Sequence, residues 1–368
     1  MKKNERESNF ELLRIFAVVL IIFHHICIHI IAKQIPSVEY NPDGLFNNFS
    51  FYNRLFITDF GLQIGRVANA LFILISGYFL CSKDNTNVFK QAKKLLSQIL
   101  YVTLLIMSLS LIYQLTIDKS FTYIETFKSF SDQWWFVGYY FIIILFGSLF
   151  INKKINRLSR EKYRTILICL FAIITFQYTR NLLSDISERI PTILNGIFLY
   201  IFGGYIKKYN PFHKLKNWHI IFFILIISGI MYFSYYNFIT GNINQAILDN
   251  NDNFTQTFMA YFEYEPHLVV LAILIFELFR RIKIKNNYII NYIASSAFMV
   301  YIIHNNTFMK QLYLKIDFIT PYYYNLPKFI IMIVVFILVI FIIGVLCFSL
   351  YRLIANFVNK FLNKYLNT

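Results

Sequence analysis

Runs of about 20 mainly apolar residues, the length a helix needs to cross a bilayer, recur along the chain between short polar connections. They cover residues 10–32, 61–82, 93–117, 133–151, 163–180, 191–207, 218–237, 263–280, 288–309 and 327–351. The pattern predicts an all-α integral membrane protein of about ten transmembrane helices. The second and sixth runs are interrupted by Gly, Ser and Asn, including Ser76, Gly77, Gly203 and Gly204, and small residues let membrane helices approach closely. The first run is too long and too polar inside for a cleaved signal peptide, and no small-residue cleavage site precedes Lys33. The longest connections are 33–60 and 238–262. The second reads "TGNINQAILDNNDNFTQ", whose amides and carboxylates suit a solvated loop or a sugar-facing surface.

Charge sets the predicted orientation. With the N-terminus inside, 24 of the 35 Lys and Arg residues fall on cytoplasmic segments and ten on external ones, the bias expected of cytoplasmic loops. Both termini are therefore expected in the cytoplasm. Composition agrees with a membrane environment: 57% of residues are hydrophobic and 15% charged, against ~25% charged in soluble domains. The formal charge of +16 does not indicate nucleic acid, because the cations lie in short clusters between apolar runs. Cys27, Cys81, Cys169 and Cys347 stand singly in apolar stretches and are expected to be packing residues.

The first run carries groups that lipid penalises. At about 100° per residue, Glu11, Arg14, His25 and His29 share one stripe of the helix, and His24 looks sideways. Such residues are expected to face the bundle interior or a wet cavity. Glu11 and Arg14 are spaced for an i, i+3 ion pair. His25 lies ~16 Å along the axis from Arg14. His304, in "SSAFMVYIIHNN", falls at a matching depth in the ninth run. Two histidines at one depth with an arginine below predict a single internal site. Proton-coupled transport, metal transport and acyl transfer all fit that geometry.

Five motifs in order narrow the choice. "NFELLRIFAVVLIIFHH", "GRVANALFILISGYFL", "QWWFVGYYFIIILF", "LYIFGGYIKKY" and "SSAFMVYIIHNNTF" resemble those of the membrane acyltransferase-3 family, especially its polysaccharide O-acetyltransferase branch. The resemblance implies one transmembrane acyltransferase domain over 1–368, without an appended esterase-like domain, in a bacterial plasma membrane. It implies transfer of an acyl group, usually acetyl, from cytoplasmic acetyl-CoA to a glycan or lipid-linked sugar acceptor. Membrane lipid and other glycan-assembly proteins are the further expected partners, and no permanently bound cofactor or metal is implied. By position, His25 is the family's essential histidine and Arg14 its partner arginine. Many relatives carry an Arg-Arg pair in the first cytoplasmic loop, where this chain has Lys90, Lys93 and Lys94. Lysine attracts a CoA phosphate but lacks the bidentate fork of arginine.

Acyl transfer from a thioester needs a base for the hydroxyl proton and stabilisation of the oxyanion. His25 is the expected base, with His24 as the alternative. Arg14 either meets the donor or only pairs with Glu11. His304 either serves the acceptor or oxyanion or bonds between helices. Trp134 and Trp135 suit an interfacial aromatic belt or a stacking surface for sugar rings. The competing functions are a polysaccharide exporter or proton-coupled transporter and a structural subunit of a glycan-assembly complex. A transporter would usually show inverted repeats, and none relates the two halves of the sequence.

Overall fold

The computed structural model describes residues 6–35, 38–39, 49–83, 88–128, 134–180, 189–249, 253–254 and 256–366. The chain is an all-α membrane bundle. In order, the helices are α1 Ser8–Gln34, α2 Phe49–Leu80, α3 Val88–Thr116, α4 Tyr123–Lys128, α5 Trp135–Asn156, α6 Arg160–Arg180 and α7 Ile190–Tyr209. Beyond these come α8 Asn217–Leu248, α9 Pro266–Arg281, α10 Tyr288–Ser295, α11 Ala297–His304, α12 Thr307–Tyr313, α13 Ile319–Tyr324 and α14 Leu326–Leu366. A two-residue antiparallel ladder, Val38–Glu39 with Asn253–Phe254, ties the two long connections together.

Seven of these helices are long and apolar enough to cross a membrane among the described residues: α1, α2, α3, α5, α7, α8 and α14. The other three predicted spans fall on α6, on the 16-residue α9, and on Tyr288–His304, broken at Ser296 into α10 and α11. The predicted span 263–280 begins three residues late for a local reason. Pro266 is pre-set for a first helical turn and lacks the N–H that would be unpaired there. Glu265 instead accepts the Phe262 N–H at 2.7 Å and closes a turn.

Long apolar side chains cover the outside of α3, α8 and α14, as with Leu104, Phe222 and Ile342, forming a surface suited to lipid. Inside, α2 is flanked by α1 and α7. The Ser-Gly and Gly-Gly positions make the second crossing possible. A Cβ on Gly77 would lie 2.0 Å from the Tyr200 carbonyl oxygen, and one on Gly203 would lie 2.4 Å from that of Leu74. On the other flank, a Cβ on Gly65 would strike the His24 ring at 2.3 Å. Cys27 and Cys81 are buried, whereas Cys169 lies exposed on the outer face of α6, where its apolar surroundings in the sequence suggest packing.

Candidate active site

The site begins where two helices end or deform. In α1 the turn Cys27–Ile31 is π-helical, with the Ala32 N–H reaching back five residues to the Cys27 carbonyl. Such single π turns widen a helix and recur at functional positions. Helix α11 stops at His304 because the next helix has its own cap: the Asn306 side chain accepts the Met309 N–H at 3.0 Å. The bend between them is held by Trp134, whose indole N–H donates to the Asn305 carbonyl at 3.1 Å.

These features bring His25 and His304 together. His25 Nδ1 lies 2.8 Å from His304 Nε2, and His304 Nδ1 lies 2.8 Å from the Val300 carbonyl. A carbonyl only accepts, so His304 Nδ1 carries a hydrogen and donates it. With both rings neutral, His304 Nε2 then holds a lone pair and accepts the His25 Nδ1–H. The chain of donors leaves the lone pair of His25 on Nε2. His29 stands one turn on, with its ring centroid 5.3 Å from that of His25. His25, His29, His304 and Lys310 enclose a space of about 10 Å³. His24 turns the other way: its Nδ1–H donates to the Gly61 carbonyl at 3.2 Å, and its ring rests on Gly65. Its role is packing α1 on α2.

A cavity of about 390 Å³ lies toward the other end of α1, with Glu11, Arg14, Phe72, Phe136, Tyr140 and Tyr301 among its walls. Tyr301 is one turn before His304, and their rings are 6.0 Å apart. Arg14 lines this cavity and also donates to Glu11 at 2.5 Å, so the ion pair and the cavity position coexist. A second space of about 720 Å³ shares Arg6, Lys94 and Ser295 with the first and adds Arg352. Its walls also hold Tyr288 and Tyr292, stacked at 6.0 Å, with the Arg352 guanidinium 5.7 Å above the Tyr292 ring. Cations beside stacked rings and the amides of Asn286 and Asn291 suit a phosphorylated nucleotide.

The predicted lysines divide here. Lys94 lines both spaces, and Lys93 lines neither and is exposed. One residue is ~100° around a helix, so the two cannot share a face. The side chain of Lys90 lies outside the described residues. Arg6 and Arg352, which no motif marks in the sequence, take the remaining cationic positions.

At the opposite end of the bundle, a cavity of about 850 Å³ is bounded by Arg66, Trp135, Tyr139, Arg189 and Glu263. Arg66 pairs with Glu263 at 2.5 Å. The segment 256–265 forms one wall, fastened by Asp59, which accepts the Met259 N–H at 3.0 Å and the Tyr261 hydroxyl at 2.5 Å. Only Trp135 of the predicted pair lines this cavity; Trp134 is buried, and its N–H, cut off from water, finds its partner in the Asn305 carbonyl.

A family model of the acyltransferase-3 family, described as an acyltransferase domain, matches residues 7–352. Comparison with curated proteins and with solved structures returns no match.

Proposed function

The chain belongs to the acyltransferase-3 family, and from that premise we propose that it moves an acetyl group from cytoplasmic acetyl-CoA to a hydroxyl of an envelope or extracellular polysaccharide, or of its lipid-linked precursor. The observation that carries the reading is the His25–His304 pair at 2.8 Å, with its tautomer fixed by Val300. His25 Nε2 takes the acceptor's hydroxyl proton while the oxygen attacks the thioester carbonyl. The tetrahedral intermediate collapses, the C–S bond breaks, and the CoA sulfur recovers the proton from His25. A positioned base of this kind contributes roughly 10²–10⁴ in rate. His304 holds the other nitrogen and shares the positive charge that His25 gains.

The cavities supply the rest. The nucleotide end of the donor occupies the basic space of Arg6, Lys94 and Arg352, and the pantetheine arm extends past Arg14 and Tyr301. The acceptor approaches from the outer end of the bundle. CoA phosphates then never enter hydrocarbon, where an unpaired charge is very costly. The plasma membrane of a bacterium, with both termini and the basic space facing the cytoplasm, is the setting this reading requires.

The test combines two measurements. O-acetyl signals in NMR spectra of glycan from cells carrying His25→Ala should vanish while the protein still accumulates in membranes. Sealed vesicles should acetylate when acetyl-CoA and acceptor are on opposite sides. Retained O-acetyl groups, or transfer in vesicles of known orientation only with both substrates on the cytoplasmic side, would refute the proposal.

A further inference from the structure

An apolar groove of about 450 Å³ runs between α12, the connection that follows it, and α14, walled by Leu312, Tyr313, Phe318, Val335, Phe336 and Ile340 among others. Two of these, Tyr313 and Phe336, also bound the small space that holds His25, His29, His304 and Lys310. The groove and the histidines therefore share walls. Lys310 sits at the junction. It is partly buried, and among the described residues no carboxylate pairs with it. Burial and the nearby Lys33 cation push its ammonium down to about 8. A half-buried ammonium without a carboxylate partner, with the exposed Lys33 adding positive charge nearby, is an arrangement that a phosphate would relieve.

We propose that this groove seats the hydrocarbon chain of a phosphate-linked lipid that carries the acceptor sugar, with the phosphate at Lys310 and the sugar hydroxyl at His25. The inference rests on the acyl-transfer reading and makes its acceptor specific. Lipid tails are as apolar as the groove, so the gain lies in shape and position rather than in transfer from water. Position matters most: a chain lying along Leu312, Val335 and the packed Phe318–Phe336 rings, with its phosphate at Lys310, delivers the attached sugar to the histidine pair. A bulk phospholipid in the groove would present no sugar there and would act as a competitor.

The test uses the full chain in lipid nanodiscs with acetyl-CoA and one of two acceptors. One is an oligosaccharide joined through phosphate to a prenyl chain; the other is the same oligosaccharide free in water. Val335→Trp fills the groove, and Lys310→Gln removes the phosphate partner. In both, the ratio of lipid-linked to free acceptor turnover should fall about tenfold or more, since a 1 Å displacement of a reacting group can cost ~10²-fold. Ile342→Trp, on the lipid face of α14 outside the groove, should leave the ratio as in the wild type. An unchanged ratio in Val335→Trp, or an equal fall in Ile342→Trp, overturns the inference. A wild type that acetylates the free glycan with no preference for the lipid-linked one also overturns it and leaves the acyl-transfer reading standing. Acetylation of neither overturns both.

Discussion

Replacing His304 by leucine removes the acceptor that lies 2.8 Å from His25 Nδ1. With both rings neutral, that hydrogen bond contributes about 0.5–1.5 kcal/mol net. Once His25 has taken the hydroxyl proton, the same bond joins an imidazolium to a neutral ring, and bonds to charged groups contribute about 1.5–3 kcal/mol. The difference of about 1–1.5 kcal/mol exists only as charge develops, so it lowers kcat by ~5–10-fold with little change in KM. Loss of tautomer control adds to this, because a free imidazole also places its hydrogen on Nε2, where it cannot act as base. The expected total is a ~10- to 100-fold fall in kcat, smaller than the ~10²–10⁴ expected for His25→Ala.

His304→Gln should recover part of the loss, since a carboxamide oxygen can accept the Nδ1–H. The assay is transfer of labelled acetyl from acetyl-CoA to a glycan acceptor in proteoliposomes, with kcat and KM measured separately and protein amount normalised. Because His304 acts through His25, the double variant should be no slower than His25→Ala alone. If the two losses multiply instead, or if His304→Leu matches the wild type, His304 does not position the base.

Arg6→Gln with Arg352→Gln should raise KM for acetyl-CoA with kcat nearly unchanged, as expected for uniform binding of the donor; steady-state kinetics in membranes check this. Lys94→Gln should do the same more weakly, and Lys93→Gln should leave KM as it is, because Lys93 lines neither basic space. Trp134→Phe removes the donor to the Asn305 carbonyl and should lower kcat by ~2–10-fold, read in the same assay with glycan-binding KM unaltered. Gly77→Ala should force α2 from α7 and lower the detergent melting temperature, an overpacking cost of ~1–3 kcal/mol, whereas Gly229→Ala, with open space around it, should not.

The features legible in the sequence came from distances along a single helix. Apolar runs mark where helices lie, and rise per residue alone puts His25 and His304 at one depth. The Glu11–Arg14 pair emerged from their spacing in the same way. Features that depend on how helices meet stayed hidden. Arg6 precedes α1 and Arg352 lies within α14 without a recognisable motif, yet α3, α10 and α14 bring both beside Lys94. Trp134 and Trp135 are adjacent in sequence, and only the structure separates the one buried against Asn305 from the one facing a cavity. The late start of α9 came from Glu265 closing a turn with Phe262, a contact that hydrophobic periodicity does not register.

The size of the space at the histidines bears on how a thioester survives there. It measures about 10 Å³, near the lower limit for a single water, whereas the donor-side cavities hold about 390 and 720 Å³. A base that deprotonates a sugar hydroxyl would serve water equally well, so chemistry alone does not favour transfer over hydrolysis. Access can. If the acceptor must part α12 from the outer turn of α1 to reach His25, its binding both opens the space and fills it, as in induced fit. Acetyl-CoA hydrolysis without acceptor should then run at least ~10²-fold below transfer, the scale on which closing a site to water and positioning the reactant act. Enlarging the space with Ile30→Ala, a change in its wall, should raise hydrolysis relative to transfer. Thiol release measured with and without acceptor gives both rates. Hydrolysis that already equals transfer in the wild type would mean that the closed space does not guard the thioester.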